Sequence, residues 1–488
     1  MKKLIVALAL TVALPAGMAA QDTRQSYQEF RRSLHRDYQA FRSRILEHYA
    51  DFLDGEWHPY EPLRAPGRYE SPKPDKAPVY TPPAVPTPEV KMPRPVMPEP
   101  QPVRPVRPSQ KPEAPVLPEA PAPQAGTDDF DFYGMEIAVP HVQFNILNRV
   151  ASPQDAAAAW RALDDGDARR ALAGIRAKAD EMGLNGYLTY RLIDAWARKR
   201  FAGASDGART SLAHYMLANL GYDVRMALAD GNTPLLLIPF EQTVYGSMFL
   251  TVGDRNYTVF APDGTDLTRV RNIYTCELPK GEDAGRAIDL RLNGLKLPYK
   301  PYTYDITGGD LHLTGTVNAN LFEMLYRYPQ MPTEDYASSV LDEQTRRDLV
   351  AQVREQLGGK TRVDAVNALM SFFHQGLPYA TDEARHGFEK PYFVEEILYY
   401  DKCDCEDRAI AFTWLLWNAL GIPNQLIAYP MHESASVSLD ADSGVGGYSY
   451  TVDGATYYSA DPTYIGSKVG DVMPQFATVS PKVDKTYR

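Results

Sequence analysis

At 488 residues the chain is too long for one ordinary domain and implies two or three. Its 62 acidic against 51 basic residues leave a net charge of -11, which argues against nucleic acid as a partner. Three cysteines are too few for a disulfide scaffold, and the odd number leaves at least one thiol unpaired; a Cys276–Cys403 bridge is possible, with no sequence feature to support it.

Residues 1–20 read as a secretory signal: Met1-Lys2-Lys3, an apolar run from Leu4 to Leu14, then small residues through Ala20. No later run is long enough to cross a bilayer. The expected location is exported, periplasmic or extracellular. Residues 21–58 carry an aromatic repeat with a period of 11: Tyr27, Phe30 and Leu34, then Tyr38, Phe41 and Ile45, then Tyr49 and Phe52. That period, about 3.67 residues per turn, predicts a long amphipathic helix with one apolar stripe. The stripe must pack on the body, self-associate or dock on an envelope partner.

Residues 59–127 hold more than half of the 40 prolines and predict an extended polyproline linker. As a free spacer it would reach on the order of 200 Å at ~3.1 Å per residue. Globular sequence follows. Residues 128–275 read as helices over 156–179, 188–198 and 210–220, then strands at 224–228, 235–239, 248–252 and 257–260. Residues 276–340 read as a β-rich connector, with strands at 288–295 and 311–317 about the Gly308-Gly309 turn. Residues 341–488 read as helices over 341–357 and 361–375, a buried helix behind Cys405, and strands at 425–429, 432–439, 448–452 and 456–460. Asp453-Gly454 predicts a tight hairpin between the last two.

The chain repeats itself. Tyr215–Leu220 before Gly221 matches Trp414–Leu420 before Gly421, an offset of 200 residues. The same offset pairs Thr251-Val252 with Thr451-Val452, Tyr257 with Tyr457 and Pro262 with Pro462. One register across a helix and a hairpin implies two copies of one α+β unit. In that register Ser205 stands where the second copy has Cys405, Asn232 where it has His432, and Ala261 where it has Asp461. The first copy is therefore expected to lack chemistry.

Asp404 is a good helix N-cap, and Cys405 sits in the first turn behind it. A helix N-terminus contributes only ~0.3–1 kcal/mol to an anion. Asp404, Glu406 and Asp407 oppose a thiolate, so a nucleophilic Cys405 requires a basic partner. His432 is the single histidine downstream of it, and Asp461 ends the later hairpin. Tyr399, Tyr400 and Gln375 are candidates for the second oxyanion donor beside the Cys405 backbone N–H. His374 and His386 precede the nucleophile and rank below His432 as bases. Asp440-Ala441-Asp442-Ser443-Gly444 reads as a solvated loop, and neither a metal nor a cofactor motif is present.

From Leu377 to Pro474 the chain resembles the bacterial transglutaminase-like cysteine peptidases of the papain-like superfamily. The resemblance rests on Leu377-Pro378-Tyr379, Glu395-Glu396, Asp404-Cys405-Glu406-Asp407-Arg408, Tyr429-Pro430-Met431-His432 and Asp461-Pro462-Thr463-Tyr464-Ile465-Gly466. His432 is followed by Glu433-Ser434, where the family carries Ala-Trp. The resemblance implies an α+β fold of tandem transglutaminase-like units, the first degenerate. It further implies Cys405 as nucleophile, His432 as base and Asp461 as its orienting residue. The expected activity is exported peptide or amide hydrolysis through a thioester. Acyl transfer to amines and a non-catalytic envelope scaffold are the alternatives.

Overall fold

The computed structural model describes residues 46, 48–68, 73–82, 88–98, 126–164, 167–278, 285–440 and 443–488. The signal sequence and most of the aromatic repeat lie outside the described residues. The fold is α+β, built on two sheets, antiparallel except for one parallel edge pairing, with helices packed against each.

The first sheet has seven strands, in the order Trp57–Tyr60, Ile273–Cys276, Arg225–Ala229, Thr233–Ile238, Arg255–Phe260, Met248–Val252 and Leu63–Arg64. The second has six: Lys482–Tyr487, Asn424–Tyr429, His432–Ser438, Ala455–Ser459, Tyr448–Val452 and Val90–Lys91. Four central strands follow the same order in both sheets, and Met248–Val252 lies 200 residues before Tyr448–Val452. Helix Asp206–Asn219 precedes the first set and Cys405–Asn418 the second. Gly221 and Gly421, just past these helices, both take positive φ, 104° and 64°, where a Cβ would be strained.

Strand alternation explains the layers. In the first sheet Ala227, Ala229, Leu235 and Leu237 face one apolar cluster, while Met226, Leu228, Leu236 and Ile238 face the helices. In the second, Ile427, Tyr429, Tyr450 and Val452 form the cluster away from the helices. The central apolar cluster joins the helices behind both sheets to the segment between them, with Leu217, Ile288, Phe322, Phe373 and Leu415 among its residues.

The proline-rich segment corrects the expectation of a spacer. Its described parts lie along the body as a strap. Trp57–Tyr60 pairs with Ile273–Cys276 at one edge of the first sheet, and Leu63–Arg64 pairs with Met248–Phe249 at the other. Three residue steps from Tyr60 to Leu63 span at most about 11 Å. Seven flat strands at ~4.8 Å spacing would separate the edges by about 29 Å, so the sheet curls until its edges nearly meet. The strap then pairs Val90–Lys91 with Tyr448–Ser449 and bridges Val96 to Lys482, spanning both edges of the second sheet in the same way. Proline is tolerated here because edge strands need only half of their N–H groups.

The last residues of the aromatic repeat form a short helix, Tyr49–Asp54, which packs on helix Pro153–Asp164, with the Tyr49 ring stacked on Trp160 at 4.4 Å. Three further expectations are corrected. The helix expected over 156–179 is two, Pro153–Asp164 and Ala168–Met182. The 288–295 segment forms no strand and makes only the isolated bridges Ile288–Phe240 and Asn293–Val340. The connector holds one hairpin, Pro301–Gly308 with Leu311–Asn318, and then the helices Ala319–Leu325 and Thr333–Ser338.

Helix Asp206–Asn219 begins four residues earlier than its apolar period, because Ser205 caps it: Oγ accepts the Ala208 N–H at 3.2 Å. Ser205→Ala is expected to cost ~1 kcal/mol in chemical denaturation, the usual loss for an N-cap.

Candidate active site

Cys405 opens helix Cys405–Asn418 behind Asp404 at the N-cap, and Asp407 reaches back to accept the Asp404 N–H at 3.1 Å. Each neighbour in the Asp404–Arg408 run has a separate task. Asp404 Oδ2 lies 2.6 Å from Lys73 Nζ and accepts the Asp382 N–H. Glu406 Oε1 lies 2.5 Å from the same ammonium. Asp407 also accepts the Tyr392 N–H at 2.7 Å. Arg408, fully buried, donates to the carbonyls of Leu377 and Pro462 and lies over the Tyr379 ring.

The Cys405 thiol is 2% exposed and donates to Glu406 Oε2 at 3.2 Å, and the Glu433 backbone N–H is directed at it. Burial raises its pKa well above the usual thiol range, with Glu406 and Asp404 adding to the rise and Lys73 opposing it. In this state the sulfur is a protonated, buried thiol.

His432 precedes Glu433 on strand His432–Ser438 and is 7% exposed. Its Nε2 lies 2.7 Å from Asp461 Oδ2, and its ring stacks on Phe476, which stacks in turn on Tyr429. Asp461 Oδ1 accepts the N–H groups of Thr463 and Tyr464 at 2.8 and 3.3 Å. Burial alone would raise the Asp461 pKa; His432 and the Thr463 N–H outweigh it and hold the carboxylate below its usual range. With Nε2 turned to Asp461, His432 has Nδ1 left for another partner. Among the described residues no hydrogen bond joins it to the thiol.

The remaining candidates lie elsewhere. Gln375 accepts the Gly309 N–H and donates to Ser371. Tyr399 stacks on Phe322 and meets Tyr302, and Tyr400 packs against Tyr392 and His386. None of these contacts involves the thiol, so none supports an oxyanion role for the three residues. His386 bonds to the Tyr392 hydroxyl at 2.7 Å. His374 bonds to the Asp461 carbonyl at 3.2 Å and accepts the Gly466 N–H, which braces the turn holding Asp461. Cys276 and Cys403 are both free and buried, which removes the proposed bridge. Asp440 pairs with Arg362 at the surface; residues 441–442 lie outside the described residues.

Sequence reasoning missed Arg68 and Lys73, whose acidic partners lie more than 300 residues away. Lys73 Nζ sits among Glu389, Asp404 and Glu406 at 3.0, 2.6 and 2.5 Å, and Arg68 Nη2 reaches Glu433 Oε1 at 2.9 Å. No local pattern marks a basic residue between prolines as a buried ion-pair partner. The residues 200 positions before Cys405 and His432 are not brought together in this way among the described residues: Ser205 is spent on its helix cap, and Asn232 is exposed.

Of the carboxyls at the strap, Asp404 is pushed well upward by burial and Glu406, and two more are pushed into the neutral range. Burial, opposed by Arg68, raises Glu433 to about 8. Burial and Glu406, opposed by Lys73, raise Glu389 to about 7. A carboxyl whose folded pKa exceeds its unfolded value binds more protons when folded, so its contribution falls as pH rises through that window. His214 and His386, lowered by burial to about 3 and about 4, act oppositely, but only below their unfolded value of ~6.5. Between pH 6.5 and 8 the thermal midpoint is therefore expected to fall, and Glu433→Gln to flatten that fall; a midpoint that rises over this range contradicts it.

No match to this chain was found among protein-family models, curated proteins or solved structures. Among the described residues no helix is long and apolar enough to cross a membrane.

Proposed function

We propose that the chain is an exported cysteine hydrolase of the transglutaminase-like kind, cutting peptide or amide bonds with Cys405, His432 and Asp461. The observation that carries this reading is the 2.7 Å pair of His432 Nε2 with Asp461 Oδ2 on the strand packed against the Cys405 helix. That pair fixes the imidazole so that Nδ1 is the nitrogen available to a thiol. In the proposed reaction Cys405 sulfur attacks the carbonyl carbon while its proton passes to His432. His432 then gives that proton to the leaving amine, and a thioester remains on Cys405. Water, deprotonated by His432, attacks the thioester; the acid leaves and the thiol is restored. The Cys405 backbone N–H at the helix start is one donor to the oxyanion.

The shared strand order of the two sheets supports a duplicated unit whose first copy positions the strap and carries no chemistry. The leader-like residues 1–20 support export.

The test is product analysis. Peptide amides incubated with the full chain and a surplus of a small primary amine should yield free acid and released amine, and Cys405→Ala should yield neither. Amide exchange in place of free acid would make the chain a transferase. No turnover of any peptide, with the fold intact and the strap loosened, would leave a non-catalytic scaffold.

A further inference from the structure

The two cations of the strap straddle the thiol. Arg68 holds Glu433, whose backbone N–H is directed at the sulfur. Lys73 holds Glu406, whose other oxygen accepts from the sulfur. The Lys73 and Arg68 side chains are 4% and 7% exposed, an expensive burial unless they are paired as they are here. Beyond Lys73 the strap continues as an extended chain. Tyr80 N–H donates to the Ile465 carbonyl and Ile465 N–H to the Pro78 carbonyl, both at 2.9 Å, close past Asp461 in the chain. Before Arg68, Ala65 N–H donates to the Ser247 carbonyl at 2.8 Å. Arg64 and Ala65 there border a cavity of about 550 Å³ walled by Tyr187, Phe260 and Tyr328. Glu389 is also in that wall, and it is one of the three carboxylates that pair with Lys73.

The described parts of the strap thus border an aromatic cavity, hold the side chains of the two residues beside the sulfur, and reach the turn that carries Asp461. An extended polypeptide substrate would need the same course. We propose that the strap is a built-in competitor for the site, a reading that rests on the proposed hydrolase. The cleft takes an extended polypeptide bearing cationic side chains, and the strap fills it in cis until it withdraws. A tethered occupant acts at an effective concentration on the order of millimolar, so a weak contact suffices to keep free substrate out.

The test uses the full chain and needs no turnover. Iodoacetamide labelling of Cys405, read by peptide mapping, is timed in the parent, in Lys73→Ala and in Arg68→Gln. Arg68→Gln guards against a Lys73→Ala chain that fails to fold, because glutamine can still bond to Glu433. Loosening the strap should speed labelling of Cys405 by about tenfold or more while Cys276 and Cys403 stay slow. A peptide of residues 62–82 added in trans should slow it again, and the same peptide with Arg68→Glu and Lys73→Glu should not. Folded variants that label no faster than the parent make the strap a permanent structural element and overturn the proposal. Equal protection by both peptides overturns the cationic preference. The hydrolase reading fails separately, if loosened variants label quickly yet turn over no peptide.

Discussion

Cys405→Ala is expected to remove the proposed hydrolysis by about 10³-fold or more, and His432→Ala to cost nearly as much. Groups that act as one unit do not contribute additively, so the double variant should be little worse than either single one. The expectation follows from the state of the sulfur. The buried thiol is held protonated by burial, Glu406 and Asp404, and a helix N-terminus offsets at most ~1 kcal/mol of that. Only a proton acceptor close by can make it a nucleophile, and His432, fixed through Nε2 by Asp461, is the imidazole next in sequence to the Glu433 N–H directed at it. Initial rates of peptide amide cleavage at neutral pH check this, with the strap loosened so that substrate reaches the site. A His432→Ala chain that keeps more than about a tenth of the rate would remove the histidine from the mechanism.

Arg408→Leu is expected to cost about 3–5 kcal/mol of stability. The guanidinium is fully buried and joins three segments: its own helix, the Leu377 carbonyl and the Pro462 carbonyl next to Asp461. Hydrogen bonds from a charged donor contribute ~1.5–3 kcal/mol each, and leucine would leave both carbonyls buried without that donor. At ~2–4 °C per kcal/mol for a unit of this size, the thermal midpoint should drop by about 10 °C. Arg408→Lys keeps the charge but lacks the fork and should fall between the two. A loss below about 1 kcal/mol for Arg408→Leu would show that neither carbonyl depends on it.

How much of this was legible depended on how local the cause was. Asp453 and Gly454 take φ of 50° and 80°, as a two-residue hairpin requires, and the flanking strands Tyr448–Val452 and Ala455–Ser459 fell within a residue of the sequence reading. The closeness of His432 and Asp461 was legible because one histidine follows Cys405 and proline ends the strand beside Asp461. The capping box at Cys405 was half legible: Asp404 was evident, while Asp407 closing it needed the helix start to be fixed first. Tyr399, Tyr400 and Gln375 make their contacts with other residues, and their position before Cys405 says nothing of which face they take. The aromatic cluster around His386 and Tyr392 claims Tyr400, and Phe322 claims Tyr399. The strap was illegible for another reason. Proline-rich sequence has neither a period of two nor of 3.6, so nothing local distinguishes a free spacer from an edge strand. Its true partners, 331 residues from Lys73 to Asp404, are fixed only by the folded body.

The most direct measurement of the central claim is Cys405 labelling by iodoacetamide in the Arg68→Gln chain across pH 5–9, with and without His432→Ala. The account predicts selective labelling of Cys405 at neutral pH, ahead of Cys276 and Cys403, and a loss of about tenfold or more when His432 is replaced. Labelling of Cys405 no faster than a free model thiol, or unchanged by His432→Ala, would contradict it.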